Sequence, residues 1–437
     1  MEWYMVLLLI FGSLVILMAI GIPVAFSFMA ICVVGSLVFW GGQVGMEQVI
    51  RSFFSSVATF TFLPVPLFIL MGNIIFESGV GMLVVDAVDK ILGRLPGRLS
   101  LLAIGAGTLL GTMIGISGAS IAILTKSLVP EMFKRGYKKA MSLGPIVASG
   151  MLAVMIPPSA AAIILGAIGR VSIGKLLIAI ILPGLLIAFF FAAYIIVRCM
   201  LQPSLAPSYA AARVSLLEKL SITIRHILPL GIIIFAVIGT IYLGIASPSE
   251  AAALGAVACF LLAAGHRKLN WQTVKKSVVS TVHITAMVLI IVAASISFSK
   301  ILACSGALAG LINLATSLPV APIIIIIATQ LLVVILGCFM DPISILMITL
   351  PMFMPIVSAL GFDTLWYAVI LMINIQLALI TPPFGLDCYT MKALAPPDVS
   401  IGDVFRSSIP LLAIGFLAMA LIMVFPQIAL WLPSVAR

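Results

Sequence analysis

Apolar runs of about twenty residues follow one another along this chain, each long enough to cross a hydrocarbon core of about 30 Å. At that depth every backbone N–H and C=O must be bonded within the segment, so these runs are expected to be helices. Hydrophobic residues make up 63% of the chain and charged ones 8%. A soluble domain carries roughly 25% charged residues, so the chain cannot dissolve as a globule. No soluble domain is left over: the longest polar stretch, from Gln202 to Arg225, is a linker. The start, Met1-Glu2-Trp3-Tyr4, has an acid and aromatics where a signal peptide has basic residues. No small-residue cleavage site precedes Gly21-Ile22-Pro23, so an uncleaved membrane segment is expected. The net charge of +10 does not imply nucleic acid, because in a membrane protein Lys and Arg collect in cytoplasmic loops. The six cysteines have no metal-ligand spacing and are read as small packing residues.

One offset organises the whole chain. Pro130, Gly136 and Pro157-Pro158 recur 225 residues later as Pro355, Gly361 and Pro382-Pro383. The same offset maps Pro23 onto Pro248 and Ser52–Val57 onto Ser277–Val282. At 228, Val171-Ser172-Ile173-Gly174 recurs letter for letter as Val399-Ser400-Ile401-Gly402. Collinear matches over nearly the full length imply a duplication, with a first repeat at 1–200, a cytoplasmic linker at 201–225 and a second repeat at 226–437.

The basic residues orient the two halves. Lys90, Arg94 and Arg98 precede the apolar stretch 99–131, and Lys134, Arg135, Lys138 and Lys139 follow it. With both ends in the cytoplasm, this stretch must enter and return, turning at Gly115-Ile116-Ser117-Gly118-Ala119-Ser120. Such a re-entrant hairpin is tolerated only where protein or a water-filled cavity surrounds it. Its counterpart, 319–359, turns at Gly337 to Pro342 in a region, Ile301 to Met391, that has no Lys or Arg, and so opens outside. Full crossings are expected near 4–20, 24–40, 53–76, 140–169 and 176–198, then near 227–244, 251–265, 278–298, 364–394 and 408–431. Five crossings per half is odd, so the second half is inverted. Of the 23 basic residues, only Arg51, Arg170, Lys175, Lys300 and Arg437 then fall outside.

The stretches 140–169 and 364–394 are too long for one straight crossing and are interrupted by Ile156-Pro157-Pro158-Ser159 and Thr381-Pro382-Pro383-Phe384-Gly385. Each proline removes an N–H and clashes with the preceding turn, so a pair breaks a helix. The freed carbonyls need partners, and a cation is a good one. A lone proline would be read as a kink made for packing, whereas two pairs at matched positions point to function. Inverted repeats, discontinuous helices and a midplane site mark a secondary transporter. The expected fold is therefore an all-α polytopic membrane protein built of two inverted repeats, each with a re-entrant hairpin and a Pro-Pro-broken helix.

On these residues the whole chain resembles the large membrane subunit of the tripartite ATP-independent periplasmic (TRAP) transporters. The resemblance is carried by the tip at 115–120, Pro130 with Gly136-Tyr137, Ile156–Ser159, Ser247 to Ala253, Gly337 to Asp341, and Thr381–Gly385. It implies a Na⁺-coupled elevator importer of organic acids in a bacterial inner membrane, not an enzyme. A small four-helix membrane subunit and a soluble periplasmic binding protein are the implied partners. Dicarboxylates, sialic acids, keto acids and small sulfonates all fit as substrate. The implied Na⁺ sites lie where tip meets break: Gly115, Ser117 and Ser120 with Pro157 and Ser159, and Gly337, Met340 and Asp341 with Thr381, Pro382 and Gly385. This chain has Ser117-Gly118-Ala119-Ser120 where the family often has Ser-Gly-Ser-Ala, and Asp387 where an Asn is frequent.

Ser120, Lys126 and Asp387 are candidate substrate contacts. Lys126 either neutralises an anion or snorkels to the cytoplasmic boundary. Asp341 is either a Na⁺ ligand or a helix cap, and acids in membrane segments default to functional candidates. Asn73 and Glu77 either face the smaller subunit or mark a polar helix end. Lys300 is read as interfacial, and His283 is given no role. Among rival functions, Gly115-Ile116-Ser117-Gly118 matches the GxSG of rhomboid intramembrane proteases, but no histidine is placed to activate the serine. A channel would carry passive flux. A stand-alone Na⁺-coupled dicarboxylate carrier would need no binding protein.

Overall fold

In the computed structural model, residues 2–92, 95–115, 117–207 and 215–436 are described. Met1, Gly93, Arg94, Ile116, the linker segment 208–214 and Arg437 lie outside them. Helices account for nearly all of these residues, and none of the described residues forms a strand. Seven helices are long and apolar enough to cross a membrane, or eight with the bent pair Lys139–Met155 and Ala160–Ile168. Trp3–Ala19 and Val24–Phe39 fall just short, at 17 and 16 residues.

Helix bounds recur at the spacing of the sequence repeat. Ser117–Lys134 reappears 225 residues on as Pro342–Ala359. Trp3–Ala19 has its counterpart in Leu228–Tyr242, starting at the same offset. A helix precedes each hairpin, Val80–Leu92 in one half and Ala307–Ser317 in the other.

Three expectations are corrected. The crossing at 53–76 is two elements, an amphipathic helix Gln43–Val57 and, after a single turn at Phe60–Phe62, a helix Pro64–Glu77. Pro64 and Pro66 are compatible with the first turn of a helix but not with its interior, so the chain restarts there. The second half has no proline at the matching place, and Trp271–Cys304 runs unbroken for 34 residues. The linker expected to reach residue 225 is already helical from Leu216, through a wide turn at Thr223–Ile227, into Leu228–Tyr242. The last crossing is Ile401–Val424, and a separate helix, Gln427–Val435, follows it.

The segments before the two breaks are buried at the centre of the molecule, with the hairpin arms packed on them. All twelve residues of Gly144–Met155 are buried, as is every residue from Trp366 to Ala378. A helix hydrophobic and buried all round belongs inside a bundle, not against lipid. Lipid offers no hydrophobic drive for helix association, so close van der Waals contact at small residues must supply it. In the first hairpin, the arm Arg98–Ile114 presents Gly107 and Gly111 to the broken helix. A Cβ on Gly111 would lie 2.1 Å from Cα of Ala153, and one on Gly107 would lie 2.4 Å from Cβ of Ser149. In the second hairpin, the arm Pro322–Gly337 does the same, a Cβ on Gly337 falling 2.2 Å from that of Ala378.

The halves also interlock crosswise. Leu386–Leu394, which follows the second break, packs on Ser117–Lys134 of the first hairpin. Ala160–Ile168, which follows the first break, packs on Pro342–Ala359 of the second. An ion pair between Lys139 and Asp403 at 2.8 Å adds a further link between halves.

Candidate functional site

Both proline pairs interrupt their helices where the sequence places them. Gly144–Met155 stops at Ile156, whose backbone is extended, and a new helix starts at Ala160, bent by 48°. Thr364–Ala378 gives way to a loop through Gly385, after which Leu386–Leu394 begins. The Pro157-Pro158 and Pro382-Pro383 bonds are both cis.

Each tip meets the break of its own half. Gly115 closes the first arm with φ +66°, and a Cβ there would lie 3.7 Å from Ala160 N and 4.0 Å from the Pro158 carbonyl oxygen. Positive φ is costly for residues with a Cβ, which is why glycine stands at this turn. Pro157 and Ser159 are buried beside it. In the second half Cys338 donates its thiol hydrogen toward the Pro382 carbonyl at 3.5 Å. Gly337 and Met340 are buried there, while Phe339 and Phe384 meet tilted at 52°, 5.4 Å between ring centroids, and remain exposed at that junction. Gly385 occupies the left-handed region at φ +47°, under the ring of Phe405.

Several candidate hydroxyls already serve the fold. Ser159 Oγ accepts from Ala162 N at 3.3 Å and so caps its helix. Ser120 is fully buried and donates to the Gly107 carbonyl at 3.4 Å, toward the first arm and not the tip. Thr381 donates to the Leu377 carbonyl at 2.8 Å, with its lone pairs still available. Asp341 is a helix cap: its Oδ2 accepts from Ile343 N and Ser344 N, both at 3.1 Å, and its Oδ1 from the Ser344 hydroxyl. Lys126 is exposed, nine residues beyond Ser117 and so about 13 Å further along the helix. Outside the site, Asn73 donates to Thr281 Oγ1 at 2.9 Å, so its amide holds two helices of this chain together. Lys300 and His283 are exposed.

Asp387, a candidate substrate contact on the sequence, lies against the first hairpin tip. Ser117 of the first tip donates to Asp387 Oδ1 at 2.9 Å. The carboxylate is 4% exposed, and its Oδ2 is buried without a hydrogen-bond partner. Gly118, next to Ser117, faces Thr390 one turn further along the same helix. The two tip-and-break sets are therefore joined into one constellation by a serine and a carboxylate 270 residues apart.

A second polar group was missed by sequence reasoning. Asn374 donates from Nδ2 to the Gln330 carbonyl at 2.6 Å and to its Oε1 at 2.8 Å, and Tyr367 donates to Thr329 Oγ1 at 3.0 Å. All four residues are buried, and the bonds fasten the first arm of the second hairpin to its broken helix. The available signal was two amides, Asn374 and Gln376, in an otherwise apolar run. The set has no equivalent in the first half, where the offset places Ile104, Gly105, Ser142 and Ser149.

Comparison with known proteins agrees with this architecture. The family model described as "Tripartite ATP-independent periplasmic transporter, DctM component" matches residues 11–428. The ectoine TRAP transporter large permease protein TeaC of Halomonas elongata is 31% identical over 430 residues, covering 97% of this chain and 98% of that protein. The C4-dicarboxylate TRAP transporter large permease protein DctM of Pseudomonas aeruginosa is 29% identical over 384 residues, covering 87% and 88%. Among solved structures, the YdaH transporter of Alcanivorax borkumensis superposes with a TM-score of 0.65 at 15% identity, covering 90% of this chain and 91% of that one, a likeness of fold alone. The chain belongs to the DctM family, the large membrane components of tripartite ATP-independent periplasmic transporters.

Proposed function

We propose that this chain is the large transmembrane subunit of a Na⁺-coupled secondary transporter that imports a small organic anion, a carboxylate or sulfonate, across the bacterial inner membrane. A periplasmic binding protein delivers the substrate, and a small four-helix membrane subunit completes the scaffold. The observation that carries this reading is the meeting of each hairpin tip with the proline break of a helix whose segment before the break is buried, in a chain of this family. Broken helices leave backbone carbonyls for a cation and helix N-termini for an anion. The relatives named for ectoine and C4-dicarboxylates set the substrate class to be tested first.

In this reading the halves run antiparallel through the membrane, and the hairpins with their broken helices move as one body against the surrounding helices. Na⁺ is a substrate that travels with the anion. The residues offered to it are the backbone at Gly115, Pro157, Gly337, Met340, Pro382 and Gly385, with the hydroxyls of Ser117, Ser159 and Thr381.

The test is uptake into proteoliposomes holding the chain with its small subunit, given a panel of radiolabelled dicarboxylates, ectoine and sulfonates. Uptake of one of them that needs both an inward Na⁺ gradient and the cognate soluble binding protein is the expected result. Equal uptake without the binding protein would establish a stand-alone carrier instead. Current without any gradient would establish a channel.

A further inference from the structure

The carboxylate of Asp387 has no counter-charge. It is 4% exposed, its Oδ1 is held by Ser117 at 2.9 Å, and its Oδ2 is buried without a partner. No described basic side chain forms an ion pair with it; the ion pairs among the described residues join Arg98 to Asp89, Arg135 to Glu131 and Lys139 to Asp403. Lys392, five residues on, projects about 140° round the helix from Asp387. Lys126, on the opposing hairpin arm, is exposed and about 13 Å beyond Ser117. Gly144–Met155, which also packs on Leu386–Leu394, contributes no charged residue. Ile401–Val424, packed on the same helix, carries Asp403, which is engaged with Lys139, and Arg406, which is exposed.

A buried charge persists only when it is paired or bound to a metal. Membrane depth makes the requirement stricter. Asp387 lies where Ser117 and Gly118 of the first hairpin meet the helix after the second break, so a ligand at its free oxygen touches both halves at once.

We propose that Asp387 anchors a monovalent-cation site spanning the two halves, in which Oδ2 takes Na⁺ while Oδ1 keeps Ser117 of the first tip in place. This rests on the Na⁺-coupled reading above and adds to it a site distinct from the two within-half sets. A cation at Oδ2 neutralises the carboxylate and ties the first hairpin to Leu386–Leu394. Occupation of this site therefore controls whether the first tip is closed on the second broken helix.

Equilibrium binding of ²²Na⁺ to the purified chain with its small subunit, compared with Asp387→Asn and Ser117→Ala, tests it. Asn has nearly the same shape and no charge, so the expected result is one Na⁺ fewer per chain in Asp387→Asn, with the remaining sites unchanged in affinity. Ser117→Ala removes both the donor to Oδ1 and a hydroxyl offered to the first within-half set, so it is expected to weaken the Asp387 site about tenfold, with any loss at the within-half set read separately, while keeping the count. Identical count and affinity in all three proteins would overturn the proposal. It would equally fall to an infrared protonated-carboxyl band that is absent from Asp387→Asn and persists in the native protein at saturating Na⁺, because a proton would then be the occupant. If the native protein binds no Na⁺ and its uptake ignores the Na⁺ gradient, the Na⁺-coupled reading itself falls, an outcome separable from the first.

Discussion

Gly337→Ala tests whether the second tip is held in register by backbone-to-backbone approach. The added Cβ would sit 2.2 Å from Cβ of Ala378 and 3.4 Å from its Cα, with Ile345 Cδ1 at 3.5 Å. Carbon atoms in contact sit about 3.5–4.0 Å apart, so the arm must retreat from the broken helix by roughly 1.5 Å. Overpacking of this kind costs about 1–3 kcal/mol. The worst clash is with one methyl group, and Ala378→Gly removes it while leaving the next atom at an acceptable distance. Ala378→Gly alone should cost about 1 kcal/mol, the usual penalty for glycine inside a helix. The double variant should therefore be more stable than the sum of the singles implies, with a coupling of about 1–2 kcal/mol. The assay is thermal unfolding of the purified protein in detergent, run as a double-mutant cycle, with Na⁺-dependent uptake measured in parallel. The fall in melting point for Gly337→Ala should be largely reversed in the double variant, and uptake should follow. If Gly337→Ala melts like the native protein, or the two effects simply add, the close approach of tip and break is wrong.

Three further outcomes follow from the same packing. Asn374→Leu should destabilise by about 1–3 kcal/mol because it leaves the buried side-chain oxygen of Gln330 without its donor; calorimetric or fluorescence melting checks it, and Gln330→Leu in the same chain should not add a second full loss. Gly385→Ala should cost about 1–2 kcal/mol, from the left-handed φ of +47° and the Phe405 ring 2.8 Å from the new Cβ, and should lower apparent Na⁺ affinity in uptake assays. Lys126→Gln should leave Na⁺ activation and the melting point unchanged within error, since the side chain is exposed away from the tip; a large rise in the substrate KM would instead return Lys126 to the site.

What the sequence made legible was the punctuation of the fold. Proline pairs cannot sit inside a helix, so both breaks were readable at Pro157-Pro158 and Pro382-Pro383; the small residues of 115–120 marked the first turn, and the repeat placed the second at 337–342. The crossing at 53–76 was misread because hydropathy alone does not weigh Pro64 and Pro66 against an apolar run. In Trp271–Cys304, with no proline at the matching place, the same kind of run forms a single helix. Asp341 resolved as a cap for a reason the sequence also held: Asp followed by Pro at the first helical position is a common helix start.

The Ser117–Asp387 contact was of another kind. A repeat pairs each residue with its copy in the other half, and spacing along the chain pairs each tip with its own break. Neither relation connects a first-half tip to the helix after a second-half break. That contact exists because Leu386–Leu394 packs on the hairpin arm Ser117–Lys134 while Ala160–Ile168 packs on Pro342–Ala359, so each half completes the other's hairpin. The exchange explains why the matched positions are not chemically equal. The offset of 225 places Asp387 opposite Ala162 and Ser117 opposite Pro342, so the carboxylate and its serine have no counterparts. At the tips, the positions matched by the offset thus carry one serine–carboxylate contact instead of two. On the Na⁺ reading proposed above, an ion at that junction would bear on the first tip and leave the second without an equivalent.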